Sequence, residues 1–288
     1  MRPFQYFPAK TTACFNLVIV HGMQEHGRRY QAFAEYLSEQ GGNIISFDLP
    51  GHGAEKRNDA LGDFGTEGLN SSLTAINALF QSFANELPTI LFGHSMGAAL
   101  ALRYAEQQNL AQLILCGLPV NPVWLLRLGY RAAQLEQHLR ATQASVFSNV
   151  FKFYNRAFRP NKTTADWLSV NPENVQQYLA DPCCGYAISP QYYVEMFGFM
   201  QEAFAESELV KLDPALKILL IWGAQDPVTG FGRGTRRFAL KLKQLAYSVE
   251  QREFAGLRHE ILNEADPLPV YTVVSQFIHQ YLPPNSNP

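Results

Sequence analysis

Several features that define other classes of protein are missing from this sequence of 288 residues. No run approaches the ~18 apolar residues of a membrane-spanning helix. The N-terminal stretch MRPFQYFPAKTTACF lacks the apolar segment of a signal peptide, so we expect neither feature. No basic run or stripe stands out at a net charge of −2, so nucleic acid is not an expected partner.

Cysteine is also scarce. Cys14, Cys116, Cys183 and Cys184 form no CxxC spacing, which argues against a zinc site. Neither HExxH nor a carboxylate cluster occurs, so we expect no metal. The adjacent Cys183 and Cys184 rarely pair with each other, because a disulfide needs its two Cα atoms farther apart. Scattered thiols fit a reducing compartment, and we therefore expect a cytoplasmic protein.

The composition is that of a folded protein with a sizeable core. Hydrophobic residues make up 47% of the chain and charged residues 17%. Such a chain can bury enough apolar surface to fold, and its length suits one or two domains.

The first part of the chain alternates between strand and helix patterns. Short apolar runs predict strands at 15–22, 43–48, 89–93 and 111–117. Apolar residues at helical spacing lie between them: Tyr30, Phe33, Ala34 and Leu37, then Leu69, Leu73, Ile76, Leu79, Phe80 and Phe83, then the segment 96–108. Strands that alternate with helices are typical of βαβ units and a parallel sheet.

This alternation stops in the middle of the chain and then resumes. Residues 118–212 are aromatic and helix-like, with no convincing buried strand, whereas strands are predicted again at 217–223 and 247–254. We therefore predict one α/β core formed by residues 1–117 and 213–288. The middle segment is then a helical cap inserted between two strands of one sheet.

A candidate nucleophile stands between a predicted strand and a predicted helix. The stretch GHSMG at 93–97 places Ser95 between two glycines. A GxSxG pentapeptide also occurs by chance, so its strand–turn–helix setting decides the interpretation. In a nucleophile elbow the turn is so sharp that a Cβ at Gly93 or Gly97 would clash with the backbone. The sequence therefore predicts that Ser95 is presented at the carboxyl end of a strand.

A serine hydroxyl needs a general base, which in this architecture follows the serine and the acid in chain order. Two histidines lie after the last predicted strand. His279 belongs to the C-terminal helical pattern, where a surface or packing role is expected. His259 lies in the loop GLRHEILNE and is the predicted base.

The orienting acid should follow a strand near the carboxyl edge of the sheet. Asp226 comes three residues after the strand 217–223, whereas Asp213 precedes that strand and Asp266 lies beyond the base. Asp226 is therefore the predicted acid. We expect Glu260, next to the base, to cap the turn that follows it.

Acyl transfer also requires an oxyanion hole. One expected donor is the backbone N–H of Met96, directly after the nucleophile. The other is the backbone N–H of Met23, in the loop that follows the strand 15–22. We name this segment, HGMQEH, the oxyanion loop.

Together these motifs resemble the monoacylglycerol lipase and bacterial lysophospholipase branch of the α/β-hydrolases. The similarity covers nearly the whole chain, cap included. Its motifs are HGMQEHGRRY (21–30), DLPGHG (48–53), GHSMGA (93–98), DWLSVNPENVQQYLADPCCGY (166–186), WGAQDPV (222–228) and RHEILNE (258–264).

The resemblance implies an α/β-hydrolase fold, a mostly parallel sheet flanked by helices with a helical cap inserted between two strands. It assigns Ser95, Asp226 and His259 as the triad, with Met23 and Met96 as oxyanion donors. The N-terminus has room for only one strand, FQYF, before FNLVIVHG, so we expect the sheet to lack an edge strand of the family.

The implied function is a serine hydrolase of lipid monoesters, monoacylglycerols or lysophospholipids, that needs no cofactor and touches a membrane surface transiently. Glu25 and Arg29 match a charged pair of the family that meets a polar head group or simply braces the oxyanion loop. Phe147 and Phe151, in the cap, are candidates for lining an acyl tunnel.

Three other functions stay open at this point. One is a small-ester hydrolase or peptidase on the same scaffold, because fold and triad do not fix the substrate. A second is a ligand-binding protein that keeps the fold without turnover. A third is a protein-interaction role for the aromatic cap. The oligomeric state is not indicated.

Overall fold

We analysed a computed structural model of the chain, which describes residues 4–56, 60–83, 85–140 and 144–283. Seven strands lie in these ranges: β1 Phe4–Phe7, β2 Phe15–Val20, β3 Gly42–Phe47, β4 Thr89–His94, β5 Gln112–Cys116, β6 Lys217–Gly223 and β7 Ser248–Phe254. They form one sheet in the order β1-β3-β2-β4-β5-β6-β7. The strand β1 runs antiparallel to β3 and every other pair is parallel. The mostly parallel sheet is thus confirmed, and FQYF is the single described strand before β2.

The α-helices fall into core and insertion. Between or after strands of the core lie α1 Gln31–Glu39, α2 Asn70–Ser82 and α3 Met96–Ala105. The segment between β5 and β6, called the insertion here, contributes α4 Val123–Arg140, α5 Asn149–Arg156, α6 Pro172–Ala180, α7 Pro190–Ala203 and α8 Glu206–Leu209. The core resumes with α9 Arg233–Gln244 and α10 Leu268–Gln280. Across its described residues, the regular elements of the insertion are helices, as predicted.

Helices cover both faces of the sheet, which explains why its central strands are apolar throughout. Every residue of β2, β3 and β5 is buried. One face packs against α1 and α10, and the other packs against α2, α3 and α9. A parallel sheet buried in this way has continuous apolar strands rather than alternating ones.

The parallel strands bring distant loops to one edge of the sheet. In register, Val20 pairs with Gly93 and Cys116 pairs with Ile221. The loops that follow β2, β4, β6 and β7 therefore meet at the carboxyl edge, where open α/β sheets bind ligands. None of the helices in the described ranges combines the length and the apolar character needed to cross a membrane.

Candidate active site

Ser95 occupies a strained turn between β4 and α3. Its backbone has φ 54° and ψ −120°, a conformation that residues other than glycine rarely adopt. A Cβ on Gly93 would clash with the backbone of Gly97, and a Cβ on Gly97 would clash with the carbonyls of Val20 and His21. The two glycines are therefore required by the close approach of the backbone, as the sequence predicted.

His259 and Asp226 lie side by side at the same edge of the sheet. His259 Nδ1 is 2.9 Å from Asp226 Oδ2, and both side chains are buried. The other carboxylate oxygen of Asp226 accepts the backbone N–H of Val228 at 2.8 Å. A carboxylate held in this way favours the His259 tautomer with its proton on Nδ1, and in that tautomer Nε2 is the proton acceptor.

Ser95 and His259 line the same cavity, which has a volume of about 470 Å³. Among its polar lining residues, Glu25, His94, Ser95, His259 and Glu260 form one cluster through hydrogen bonds or adjacency in sequence, and we call this cluster the polar end. The rest of the wall is largely apolar and comes from the insertion: Leu125, Leu126, Leu128, Gly129, Ala132, Phe147, Val150, Phe151, Tyr154, Trp167, Leu168, Tyr178, Tyr193, Met196, Phe197 and Met200. Phe147 and Phe151 are among these residues, and their contact with an acyl chain stays a prediction.

The two predicted oxyanion donors also line this cavity. Met96 is the first residue of α3, so its amide has no acceptor within the helix. Met23 follows Gly22, whose own amide donates to Glu25 Oε1 at 2.6 Å. A helix N-terminus beside the nucleophile also favours negative charge at that position.

The charged pair of the oxyanion loop belongs to a buried network. Arg29 Nη1 donates to Glu25 Oε2 at 3.0 Å, and Arg29 Nη2 donates to Glu260 Oε2 at 2.7 Å and to Asn174 Oδ1 at 2.9 Å. Glu25 and Glu260 border the cavity, whereas Arg29 lies behind them with a side chain that is 9% exposed. Of the two interpretations left open by the sequence, the ion pair is present, and contact with a head group stays a prediction.

The expectation that Glu260 caps the following turn is wrong. The side chain of Glu260 makes no capping hydrogen bond to the short helix Ile261–Asn263. Its carboxylate accepts from Arg29 and Asn174 instead, because a buried charge needs a counter-ion more than a helix end needs a cap.

These partners keep the network ionised. Burial alone would lower the pKa of Arg29, but the nearby Glu260 and Glu25 carboxylates hold that pKa well above its usual value. Burial alone would raise the pKa of Glu260, but the charge and hydrogen bond of Arg29 lower it overall.

Sequence reasoning missed the side chain that covers the base. Trp167, in the insertion, packs against the His259 ring with centroids 5.4 Å apart and stacks on Phe151 at an interplanar angle of 15°. The motif DWLSVNPENVQQYLADPCCGY contains this tryptophan, but no periodicity links it to a loop 92 residues away in sequence.

The loop that carries the base, residues 255–264, is tied to the insertion at several points, and we call it the base loop. Glu264 accepts Ser169 Oγ at 2.7 Å and the amide of Asn171 at 3.0 Å. Arg258 donates to the carbonyl of Ser169 at 3.0 Å, and the amide of Glu260 donates to Leu168 O at 2.7 Å. The base loop and the segment 165–171 therefore form one hydrogen-bonded unit.

One group of side chains has the donor set of a metal site. Atoms of His26, Asp181 and Cys184 all lie within 4.8 Å of one another. However, His26 Nε2 already bonds Asp181 Oδ2 at 2.8 Å. Burial raises the pKa of the Cys184 thiol, which disfavours the thiolate that a metal ion would bind.

Comparison with known proteins agrees with this architecture. The family model described as Serine aminopeptidase, S33, matches residues 12–266. Phospholipase YtpA of Bacillus subtilis is 24% identical over 92% of this chain and 95% of its own length. The monoacylglycerol lipase of Mycolicibacterium smegmatis is also 24% identical, over 92% of this chain and 88% of its own.

Solved structures are similar over the whole chain. A thermostable carboxyl esterase from Bacillus coagulans, determined in complex with glycerol, superposes with a TM-score of 0.86 at 25% identity and covers 96% of this chain and 93% of its own. A monoacylglycerol lipase from Paleococcus ferrophilus superposes with a TM-score of 0.73 at 22% identity, over 97% of this chain and 98% of its own. The predicted α/β-hydrolase fold with a helical insertion is confirmed. The chain belongs to the serine aminopeptidase S33 family of α/β-hydrolases and is a serine hydrolase.

Proposed function

We propose that the protein hydrolyses lipid monoesters, monoacylglycerols or lysophospholipids, through an acyl-enzyme on Ser95. The observation that carries this proposal is one cavity that joins a polar end, with Ser95 and His259, to an apolar wall contributed by the insertion. The names of the relatives support it, since they include a phospholipase and a monoacylglycerol lipase.

In the proposed mechanism, Ser95 Oγ attacks the ester carbonyl while His259 Nε2 takes its proton. His259 then gives this proton to the departing alcohol, which leaves Ser95 acylated. Asp226 stabilises the imidazolium formed in between. Water, activated by the same imidazole, cleaves the acyl-enzyme and returns the proton to Ser95.

The tetrahedral intermediate carries its negative charge on the former carbonyl oxygen. The amides of Met23 and Met96 are the proposed donors to that oxygen, supported by their place at the end of β2 and at the start of α3. Donors fixed by the backbone need no reorganisation during the reaction. Stabilisation of the oxyanion by such preorganised donors is the largest single contribution to catalysis in many acyl-transfer enzymes.

The substrate class follows from the wall of the cavity. Phe147 and Phe151 are proposed to contact the acyl chain, together with the other apolar side chains of the insertion. Glu25 and Arg29 are proposed to shape the polar end near the head group. We propose residues 1–117 and 213–288 as the catalytic core and 118–212 as its cap.

The first test is covalent labelling combined with a hydrolysis panel. A fluorophosphonate probe should label Ser95, and Ser95→Ala should abolish both the labelling and the hydrolysis of monoacylglycerols and lysophospholipids. Turnover that survives in Ser95→Ala would exclude this serine as the nucleophile. Binding without turnover in the wild-type chain would favour a ligand-binding protein. Cleavage of aminoacyl amides alone would favour a peptidase.

We also propose that the insertion contacts the lipid surface that supplies the substrate. Trp124, Leu128, Leu135 and Leu139 of α4 are 59–69% exposed, and Leu128 also lines the cavity. Leu128→Ser combined with Leu139→Ser should reduce sedimentation with anionic vesicles. The matched control is Leu240→Ser in α9, where the leucine is 60% exposed. This variant should sediment with the vesicles as the wild-type chain does. Equal loss in both variants would count against this surface.

A cytoplasmic location is proposed from the cysteines. All four are free thiols, three of them buried, which fits a reducing compartment.

A further inference from the structure

His94, the residue before Ser95, is buried with an acceptor at each ring nitrogen. Nδ1 lies 3.1 Å from Glu25 Oε1, and Nε2 lies 3.3 Å from the backbone carbonyl oxygen of His259. A neutral imidazole carries one N–H and can donate only one of these two hydrogen bonds. A doubly protonated ring satisfies both acceptors.

Glu25 is the other group that could hold the proton, but its oxygens are already occupied by donors. Oε1 accepts the amide of Gly22 at 2.6 Å and the hydroxyl of Tyr30 at 2.8 Å, and Oε2 accepts Arg29 Nη1 at 3.0 Å. A carboxyl that receives this many donors is stabilised as the anion. Burial alone would raise the pKa of Glu25, but the hydrogen bond and charge of His94, with the charge of Arg29, hold it well below its usual value.

The charges around His94 favour a cation at this position. Burial alone would lower the pKa of His94, yet the hydrogen bond and charge of Glu25 and the charge of Glu260 raise it overall. The His259 ring lies 4.7 Å away and is itself paired with Asp226, while the Tyr30 ring lies 6.2 Å away.

We propose that His94 is a positioning residue whose ring is an imidazolium at neutral pH. One N–H holds the carbonyl of His259 and so fixes the base loop against the nucleophile elbow. The other N–H holds Glu25, which in turn binds the amide of Gly22 and fixes the oxyanion loop. A single side chain thus sets the relative positions of nucleophile, base and oxyanion donors.

The inference rests on the proposed function for its catalytic meaning, but the protonation of His94 is a separate property of the fold. Histidine at its ordinary pKa of about 6.5 is mostly neutral at neutral pH. A neutral His94 would leave either a buried carbonyl or a buried carboxylate oxygen without one of its donors, which carries a desolvation cost.

The test is nitrogen NMR of the full chain with ¹⁵N-labelled histidine. Both ring nitrogens of His94, assigned by loss of the signals in His94→Gln, should be protonated at neutral pH, above the ordinary imidazole pKa of about 6.5. Glu25→Gln should let His94 lose a proton near neutral pH. Tyr30→Phe is the matched control, because it removes a hydrogen bond to the same oxygen but keeps the carboxylate charge, and it should leave His94 doubly protonated.

An unprotonated ring nitrogen of His94 at neutral pH in the wild-type chain would overturn the inference. So would a Glu25→Gln variant in which His94 stays doubly protonated. If His94→Gln does not fold, the ring-nitrogen signals of His94 are assigned in another way. They are the histidine signals that lose a proton in Glu25→Gln and stay unchanged in Tyr30→Phe.

The kinetic arm separates positioning from a merely structural role. His94→Gln should lower kcat by roughly 10- to 100-fold and change KM by less than about twofold. A displacement of the base by up to about 1 Å has an effect of that order on the rate. An unchanged kcat in the folded variant would overturn the positioning role. A neutral His94 in an active hydrolase defeats only this inference, whereas a wild-type chain that hydrolyses no ester defeats the proposed function even if His94 is protonated.

Discussion

The histidine of the candidate triad is proposed to move the reacting proton, and the aspartate is proposed to stabilise the imidazolium that forms. His259→Ala and Asp226→Asn should each lower kcat by roughly 10³-fold or more, while the fold stays intact. The double variant should lose far less than the product of the two single losses, because the three groups act as a unit. Steady-state kinetics on one monoester measure all three values.

Asp213→Asn is the control for this assignment. Asp213 precedes β6, at the opposite end of the strand from Asp226, and its carboxylate accepts the amide of Ala215. If Asp213→Asn were as damaging as Asp226→Asn, the placement of the acid would be wrong.

Arg29 is shared by the carboxylates of Glu25 and Glu260, so its removal leaves Glu260 without its counter-ion and Glu25 with His94 alone. Arg29→Met should lower the free energy of unfolding by about 3–5 kcal/mol, since breaking a buried ion pair costs far more than breaking an exposed one. Denaturant unfolding measures this change. The matched control is Lys10→Met, which removes an exposed pair with Glu39 and should have no measurable effect. Similar small losses in both variants would contradict the prediction.

At the scale of elements, the base loop depends on the insertion for its position. Glu264 accepts the Ser169 hydroxyl and the amides of Val170 and Asn171, and it is 5% exposed. Glu264→Ala should leave the Ser169 hydroxyl and the Val170 amide without an acceptor and lower the free energy of unfolding by about 3 kcal/mol. It should also lower kcat, because the same segment holds Trp167 against the His259 ring.

Thermal unfolding and kinetics of the same preparation test this coupling. Glu173→Ala is the control, because Glu173 is exposed at the start of α6 and should change neither stability nor kcat appreciably. A Glu264→Ala variant with lower stability but unchanged kcat would show that the hydrogen bonds of Glu264 do not position His259. That result would contradict the predicted coupling.

The elements show what a sequence can predict and what it cannot. Strand β6 was predicted at its observed residues, because KILLIWG is an uninterrupted apolar run that ends in glycine. Helix α9, RGTRRFALKLKQ, was missed because it is strongly basic and buries only a narrow face with Phe238, Ala239 and Leu242. A short apolar face within a basic segment is a weaker sequence signal than an uninterrupted apolar run.

The same limit applies to the site. Ser95, Asp226 and His259 follow from chain order and from the ends of strands, which a parallel sheet brings together. The contacts of Trp167 and Glu260 join segments far apart in sequence, and no spacing rule relates them. The roles of His94 and Arg29 depend on burial, which the sequence of the loops does not reveal.

At the scale of the whole molecule, core and insertion contribute different chemistry to one cavity. The core supplies the polar groups at the carboxyl edge of the sheet, and the insertion supplies most of the apolar wall. The salt bridges of Arg103 with Glu202 and Glu208 fasten the end of the insertion to α3. The proposed reacting groups and the proposed acyl-binding wall thus come from separate parts of the chain, so we expect substitutions in the wall to change the acyl preference without changing the chemistry.

Acyl-chain length tests this division directly. Each substrate methylene that leaves water for the apolar wall should contribute up to about 0.8 kcal/mol. Two methylenes then contribute up to about 1.6 kcal/mol, or roughly tenfold in kcat/KM, until the cavity is filled. We expect kcat/KM to rise from C4 to at least C8 in a series of monoesters with one alcohol. The reacting carbonyl is the same throughout, so hydroxide-catalysed hydrolysis of the series is the control and should not rise. A profile that peaks at C2 or C4 would reject the lipid substrate and indicate a small-ester hydrolase, whose insertion packs on the core without holding an acyl chain.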